Sequence, residues 1–92
     1  MVWKIEFEQE AEKEFAHIDR QQAKQILKYL FERIATSENP RRFGEPLRFN
    51  LSGFWKYRIG NYRLICDIKD EIVTVLVLRI GHRKNVYKKA IA

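Results

Sequence analysis

Trp55-Lys56-Tyr57-Arg58-Ile59-Gly60-Asn61-Tyr62-Arg63-Leu64 alternates apolar and cationic side chains on both sides of Gly60-Asn61. Alternation with a period of two is the mark of a strand, and two such runs split by a Gly-Asn pair read as a tight hairpin. A two-residue turn sets the register: Ile59 faces Tyr62, Arg58 faces Arg63, Tyr57 faces Leu64 and Lys56 faces Ile65. Trp55, Tyr57, Ile59, Tyr62, Leu64 and Cys66 then share an apolar face, and Lys56, Arg58 and Arg63 the opposite one. Like charges directly opposed across two strands are destabilising. The cluster therefore needs either a counter-charge, for which Asp67 or nearby glutamates are the local source, or a polyanion as ligand.

Downstream, Lys69-Asp70-Glu71 is read as a turn. Ile72–Ile80 is almost wholly apolar, partly β-branched, and reads as the most buried strand. A three-residue turn would place Leu76 opposite Leu64 and continue the apolar face through Leu76, Leu78 and Ile80, with Arg79 on the basic side. Gly81-His82-Arg83-Lys84 then leaves the sheet at the end of the Gly60-Asn61 turn. Arg58, Arg63, Arg79, His82 and Arg83, distant in sequence, are expected to converge there. Upstream, Val2–Phe7 alternates as a half-buried strand. Glu8–Ile18 spaces Ala11, Phe15 and Ile18 as a helix, with His17 a surface residue near its end. Asp19 is placed as the N-cap of a second helix with Gln22 at its third position. The stripe of that helix is Ala23, Ile26, Leu27, Leu30 and Ile34, and Pro40 follows its end. Arg41–Pro46 reads as a loop and Leu47–Leu51 as a strand before the turn Ser52-Gly53. The expected fold is α+β: an N-terminal strand, a helical hairpin, then an antiparallel β-meander with the helices on one sheet face, in a single domain over residues 1–92.

Charge separates along the chain. Residues 1–38 carry a balance of −2 and residues 39–92 a balance of +8, which makes up the net +6. A basic excess confined to the sheet half favours a polyanionic partner. No apolar run is long enough to span a membrane, and the start of the chain lacks the basic and small-residue pattern of a signal peptide. Cys66 is the single cysteine and cannot form an internal disulfide. The expectation is a cytoplasmic protein with no membrane partner.

The residues exclude several chemistries and fit one. His17 and His82 have no Cys or His neighbours at ligand spacing, so no metal site and no cofactor is expected. There is no glycine-rich phosphate loop, and Cys66 is placed in the core as a structural thiol. Metal-independent RNA cleavage asks for little: a base for the ribose 2′-OH, cations for the dianionic phosphorane, and an acid for the departing 5′-oxygen. A patch of Lys and Arg with one tyrosine and one histidine supplies those parts, and Tyr87 is suited to stack on a base or hold the ribose. The residues alone leave open whether the patch cleaves RNA or only binds it.

Lys56-Tyr57-Arg58-Ile59-Gly60-Asn61-Tyr62-Arg63, followed by Gly81-His82-Arg83-Lys84-Asn85-Val86-Tyr87, resembles the paired segments of the RelE/ParE toxin superfamily, and is most similar to RelE. The resemblance extends over nearly the whole chain in element order. It implies a type II toxin that cuts mRNA codons in the ribosomal A site by metal-independent 2′-OH attack. It also implies a RelB-like antitoxin as partner in a hetero-oligomer, with ribosome and mRNA as the other partners. Lys56 and Arg58 match the family's basic pair, Arg63 its phosphate-stabilising arginine, Arg83 the arginine of leaving-group or phosphate duty, and Tyr87 the orienting tyrosine. Arg58 stands where some relatives have lysine, and arginine hardly deprotonates, so the base is Lys56 or a role shared by the pair. His82 is a further acid–base candidate. Arg48, Arg79, Lys84 and Lys88 are expected to bind RNA or the ribosome. The competing implications are a ParE-like inhibitor of DNA gyrase without nuclease residues, and a non-catalytic RNA-binding or ribosome-associated module.

Overall fold

The computed structural model describes residues 2–84 of the 92-residue chain. Five strands form one mixed sheet. β1 (Lys4–Phe7) leads into helices α1 (Gln9–Ala16) and α2 (Arg20–Tyr29), and β2 (Glu45–Pro46), β3 (Trp55–Ile59), β4 (Tyr62–Lys69) and β5 (Thr74–His82) follow. The spatial order is β1-β5-β4-β3-β2. β3, β4 and β5 form the antiparallel meander read from the sequence, with β2 paired antiparallel to β3. β1 joins the far edge parallel to β5, Lys4 opposite Thr74 and Phe7 opposite Val77. The helices lie between β1 and the meander in the chain, and their apolar faces cover the sheet side to which Ile5, Tyr57, Leu64 and Val75 belong.

Local chemistry explains the helices. The Asp19 carboxylate accepts from the Gln22 backbone N–H at 3.4 Å and caps α2, meeting one of the four donors a helix start leaves unpaired. α2 continues into a wider π-type turn, Leu30–Ile34. That keeps Ile26, Leu30 and Ile34 buried in the core, where each contributes roughly 1.5–3 kcal/mol relative to exposure. Ala11 of α1 is buried beside them, with Phe15 and Ile18 packed at the margin. His17 is exposed at the C-terminal end of α1.

Three expectations are corrected. Leu47–Leu51 is not a strand: Phe49–Leu51 forms a 3-10 turn, with Phe49 in the left-handed region at φ 58°. The alternation there was too short to outweigh this turn. The expected loop Arg41–Pro46 is instead occupied by a 3-10 turn that starts one residue earlier, Pro40–Phe43, and by β2, Glu45–Pro46. Finally, β5 starts at Thr74, because Asp70–Ile72 forms a 3-10 turn and Val73 takes φ 48°. The longer connection and a bulge beside Ile65/Cys66 place Ile80, not Leu76, opposite Leu64. Val75, Val77 and Ile80 are thus the core residues of β5, and Leu76, opposite Asp67, belongs to the other face.

Two buried ionisable groups give the core a pH limit. Burial pushes the Tyr57 hydroxyl up from its ordinary 10.0 and the Cys66 thiol up from 9.0. Both stay neutral in the folded protein while the unfolded chain ionises at the ordinary values. Their contribution to stability is therefore complete below the thiol's ordinary value and is lost as pH rises above it. Urea midpoints measured from neutral pH to about 10.5 should fall above about 9, and Cys66→Ala should move the onset up toward 10. A midpoint that is flat across that interval would contradict the burial of both groups.

Candidate functional site

The hairpin register matches the one read from its turn: Lys56 opposite Ile65, Tyr57 opposite Leu64, Arg58 opposite Arg63 and Ile59 opposite Tyr62. Gly60 takes φ 58° while the turn's other residue, Asn61, does not have positive φ. A type II′ turn requires glycine at that first position. On the face away from the helices the strands form two cationic rows. Lys56, Ile65 and Arg79 lie across from one another in one row, and Arg58, Arg63 and Gly81 in the next. Gly81, which is buried, adds no side chain beside Arg63, so the second row carries only the two arginines. The chain then turns over the hairpin: the Arg83 backbone N–H donates to the Asn61 carbonyl at 2.9 Å, which sets the exposed Arg83 and Lys84 at the tip.

Each cation has its own surroundings. The half-buried Lys56 ammonium is 3.3 Å from Glu45, and Arg58, 63% exposed, reaches the same carboxylate at 3.8 Å. The Arg63 guanidinium folds back to the turn, donating from Nη1 to the Gly60 and Tyr62 carbonyls at 3.0 and 2.9 Å. Arg79 pairs with Glu14 of α1 at 3.2 Å, and the same carboxylate accepts from the Ile80 backbone N–H at 2.9 Å. That second bond satisfies β5 beyond Val77, where pairing with β1 has ended.

His82 does not join the arginines. It pairs with Tyr62 on the helix side of the sheet, the two rings edge to face with centroids 6.1 Å apart. There it lines a small cavity of about 300 Å³ with Lys13, His17 and Tyr62. The expected convergence thus unites Arg58, Arg63 and the Arg83 backbone, keeps Arg79 one row away under a salt bridge, and leaves His82 on the reverse face. Arg48 is exposed in the Leu47–Phe54 loop, beyond the end of β3 opposite to the turn. Tyr87 and Lys88 lie outside the described residues. Among the described residues no three His, Cys, Asp or Glu side chains gather as a metal-binding group.

Two contributors were missed in the sequence. Glu45 is the carboxylate shared by Lys56 and Arg58, in place of the sequence-local Asp67, which instead pairs with Lys69 at 3.2 Å. β2 is only two residues long, too short for any periodic signal. Tyr57, between Lys56 and Arg58, sends its buried hydroxyl to the Pro40 carbonyl at 2.7 Å and so fixes the basic strand to the segment that carries Glu45. Gly44 makes this approach possible, because a Cβ there would stand 3.1 Å from both the Lys56 carbonyl and the Tyr57 ring.

The family model described as the ParE toxin of the type II toxin–antitoxin system parDE matches residues 5–87. The chain belongs to the RelE/ParE superfamily of type II toxins. Among solved RelE/ParE structures it is similar to the toxin–antitoxin complex RelBE2 from Mycobacterium tuberculosis. The TM-score is 0.82 at 30% identity, covering 90% of this chain and 93% of that one. A free E. coli RelE carrying two arginine substitutions gives a TM-score of 0.76 at 26% identity, covering 99% and 96% of the two chains. In sequence, the toxin RelG of Mycobacterium tuberculosis is 45% identical over 53 residues, 58% of this chain and 61% of that protein. The toxin RelE of the same organism is 38% identical over 50 residues, 54% of this chain and 52% of its own length. The match thus spans less than two thirds of either of these relatives. The RelE/ParE assignment agrees with the α+β fold described above, two helices on a five-stranded mixed sheet.

Proposed function

We propose that this protein is the toxin of a type II toxin–antitoxin pair and acts as a ribosome-dependent, metal-independent mRNA endonuclease. The observation that carries the reading is the opposition of Arg58 and Arg63 across a tight hairpin, beside Gly81 and within one turn of Arg83. Two arginines opposed across neighbouring strands are unfavourable alone; here Arg58 turns to Glu45 and Arg63 to the turn carbonyls, and a phosphate bound above the pair would accept from both. In the reaction, a base takes the 2′-OH proton, the 2′-oxygen attacks the adjacent phosphorus, and the P–O5′ bond breaks. A 2′,3′-cyclic phosphate and a protonated 5′-oxygen result. Arg58, Arg63 and Arg83 supply the charge that stabilises the phosphorane. Lys56 is assigned to the base side of the site, alone or together with Arg58, with Tyr87 orienting the substrate; His82, on the helix side of the sheet against Tyr62, is left out of the site. Arg48, Arg79, Lys84 and Lys88 are assigned to docking on RNA or ribosome.

The partner proposed for the resting state is a RelB-like antitoxin in a hetero-oligomer, as in the RelBE2 complex that this fold resembles. The described residues contain no helix long and apolar enough to cross a membrane, and the proposed place of action is the cytoplasm, where ribosomes are. Induced expression should arrest growth, and primer extension should reveal new 5′ ends within translated codons while gyrase supercoiling remains intact. Growth arrest with intact message and lost supercoiling would replace this reading with the ParE-type one that the family description allows.

A further inference from the structure

Phe49 is 89% exposed and sits in the left-handed region at φ 58°. A single exposed apolar side chain is ordinary on a protein surface. A phenylalanine held there at positive φ is not, since that conformation costs an L residue of this bulk about 1–2 kcal/mol and the ring recovers almost nothing by burial. Among the described residues the other non-glycine residue at positive φ, Val73, has a structural return: it is partly buried and its carbonyl accepts from Lys4 to start the β1–β5 pairing at 2.9 Å. Phe49 also offers a carbonyl, to the Ser52 N–H at 3.0 Å, but asparagine or glycine would supply it with less strain.

The loop that presents the ring is built, not loose. Leu47 N–H bonds the Phe54 carbonyl at 3.0 Å, Leu51 N–H the Arg48 carbonyl at 3.1 Å, and Phe54 N–H the Leu51 carbonyl at 3.2 Å. It continues directly into β3, whose Lys56 and Arg58 belong to the basic face, about 14 Å of strand separating Phe54 from Arg58. Residues 46–66 contain Arg48, Lys56, Arg58 and Arg63 and no acidic residue. An aromatic ring beside an arginine, at the end of a cationic strand, is the combination by which proteins hold unpaired RNA, stacking the base and pairing the phosphate.

From this, resting on the RNA reading above, we infer that Arg48-Phe49 is a second RNA contact, where Phe49 stacks on an unpaired nucleobase and Arg48 meets its phosphate, remote from the bond that is cut. The nucleobase belongs either to the transcript or to ribosomal RNA.

The test uses the full chain, a short unstructured single-stranded RNA, and vacant ribosomes. Phe49→Asn keeps the left-handed backbone and removes the ring. It is expected to melt no lower than wild type and to bind one or both probes about tenfold more weakly. Phe49→Trp should retain binding, with its fluorescence quenched on stacking. Loss toward the short RNA assigns the base to the transcript, and loss toward ribosomes alone assigns it to ribosomal RNA. Unchanged affinity of Phe49→Asn for both probes overturns the inference, as does a markedly lower melting temperature with binding retained, which would make the ring structural. Arg63→Ala separates the two levels: if it weakens binding and Phe49→Asn does not, the basic-face reading stands and this inference fails. If wild type binds neither probe, both fail.

Discussion

Arg63→Ala is expected to lower mRNA cleavage by about 10²–10³-fold, the usual effect of removing one preorganised donor from a developing oxyanion, while the protein melts within a few degrees of wild type. The two halves of the expectation have different origins. Arg63 faces Arg58 directly across the hairpin and pairs on its other side with Gly81, two residues before Arg83, so a phosphate bound at this end of the basic face is expected to meet its guanidinium. Its present bonds go to the Gly60 and Tyr62 carbonyls at the turn, where water can replace them. Removing the charge also relieves the repulsion from Arg58, up to roughly 1 kcal/mol in such a pair. Arg63→Lys should recover part of the activity, since the charge returns but the planar fork does not. Full cleavage by Arg63→Ala would remove this residue from the site.

The larger effect on stability is expected at Tyr57. Its hydroxyl is buried and donates to the Pro40 carbonyl at 2.7 Å. Tyr57→Phe keeps the ring but leaves that carbonyl unpaired, a loss of about 1–3 kcal/mol. For a domain of this size such a loss lowers the melting temperature by about 4–8 °C per kcal/mol. Because Tyr57 ties β3 to the segment that bears Glu45, the variant should also loosen the Lys56–Glu45–Arg58 contacts. Cleavage should nonetheless survive at temperatures where the variant is folded, because no reacting atom is removed. Circular dichroism melts and cleavage assays on the same preparation separate the two outcomes. An unchanged melting temperature would contradict the anchoring role.

What could be read from the sequence follows the range of the interactions. The Arg58–Arg63 opposition was legible because a two-residue turn fixes every pair behind it, and the Asp19 cap because capping acts over three residues. Cys66 followed from strand parity. The misses lie where distant segments decide. Glu45 reaches Lys56 through a two-residue strand with no pattern of its own. The bulge beside Cys66, with Val73 in the left-handed region, moved the register of Val75–Val77, and β5 runs on to His82 instead of leaving the sheet at Gly81, so His82 keeps the face of Ile80 and meets Tyr62. Phe49 reads as a strand residue by type, and only its backbone angle and exposure reveal otherwise. Parallel pairing of β1 with β5 is a long-range choice that alternation in Val2–Phe7 does not encode. The assignment of Lys56, Arg58, Arg63, Arg83 and Tyr87 to catalysis rests on family resemblance, while composition and pattern lead as far as a polyanion-binding face.

The central proposal, that this basic face cuts mRNA in the ribosome, is tested most directly with purified protein, a defined message and ribosomes paused with a known codon in the A site. The expected result is a single cut within that codon, requiring ribosomes, unaffected by a chelator, and leaving a 2′,3′-cyclic phosphate on the upstream fragment and a 5′-hydroxyl on the downstream one. Intact message under those conditions, or equal cutting of free RNA, would contradict it.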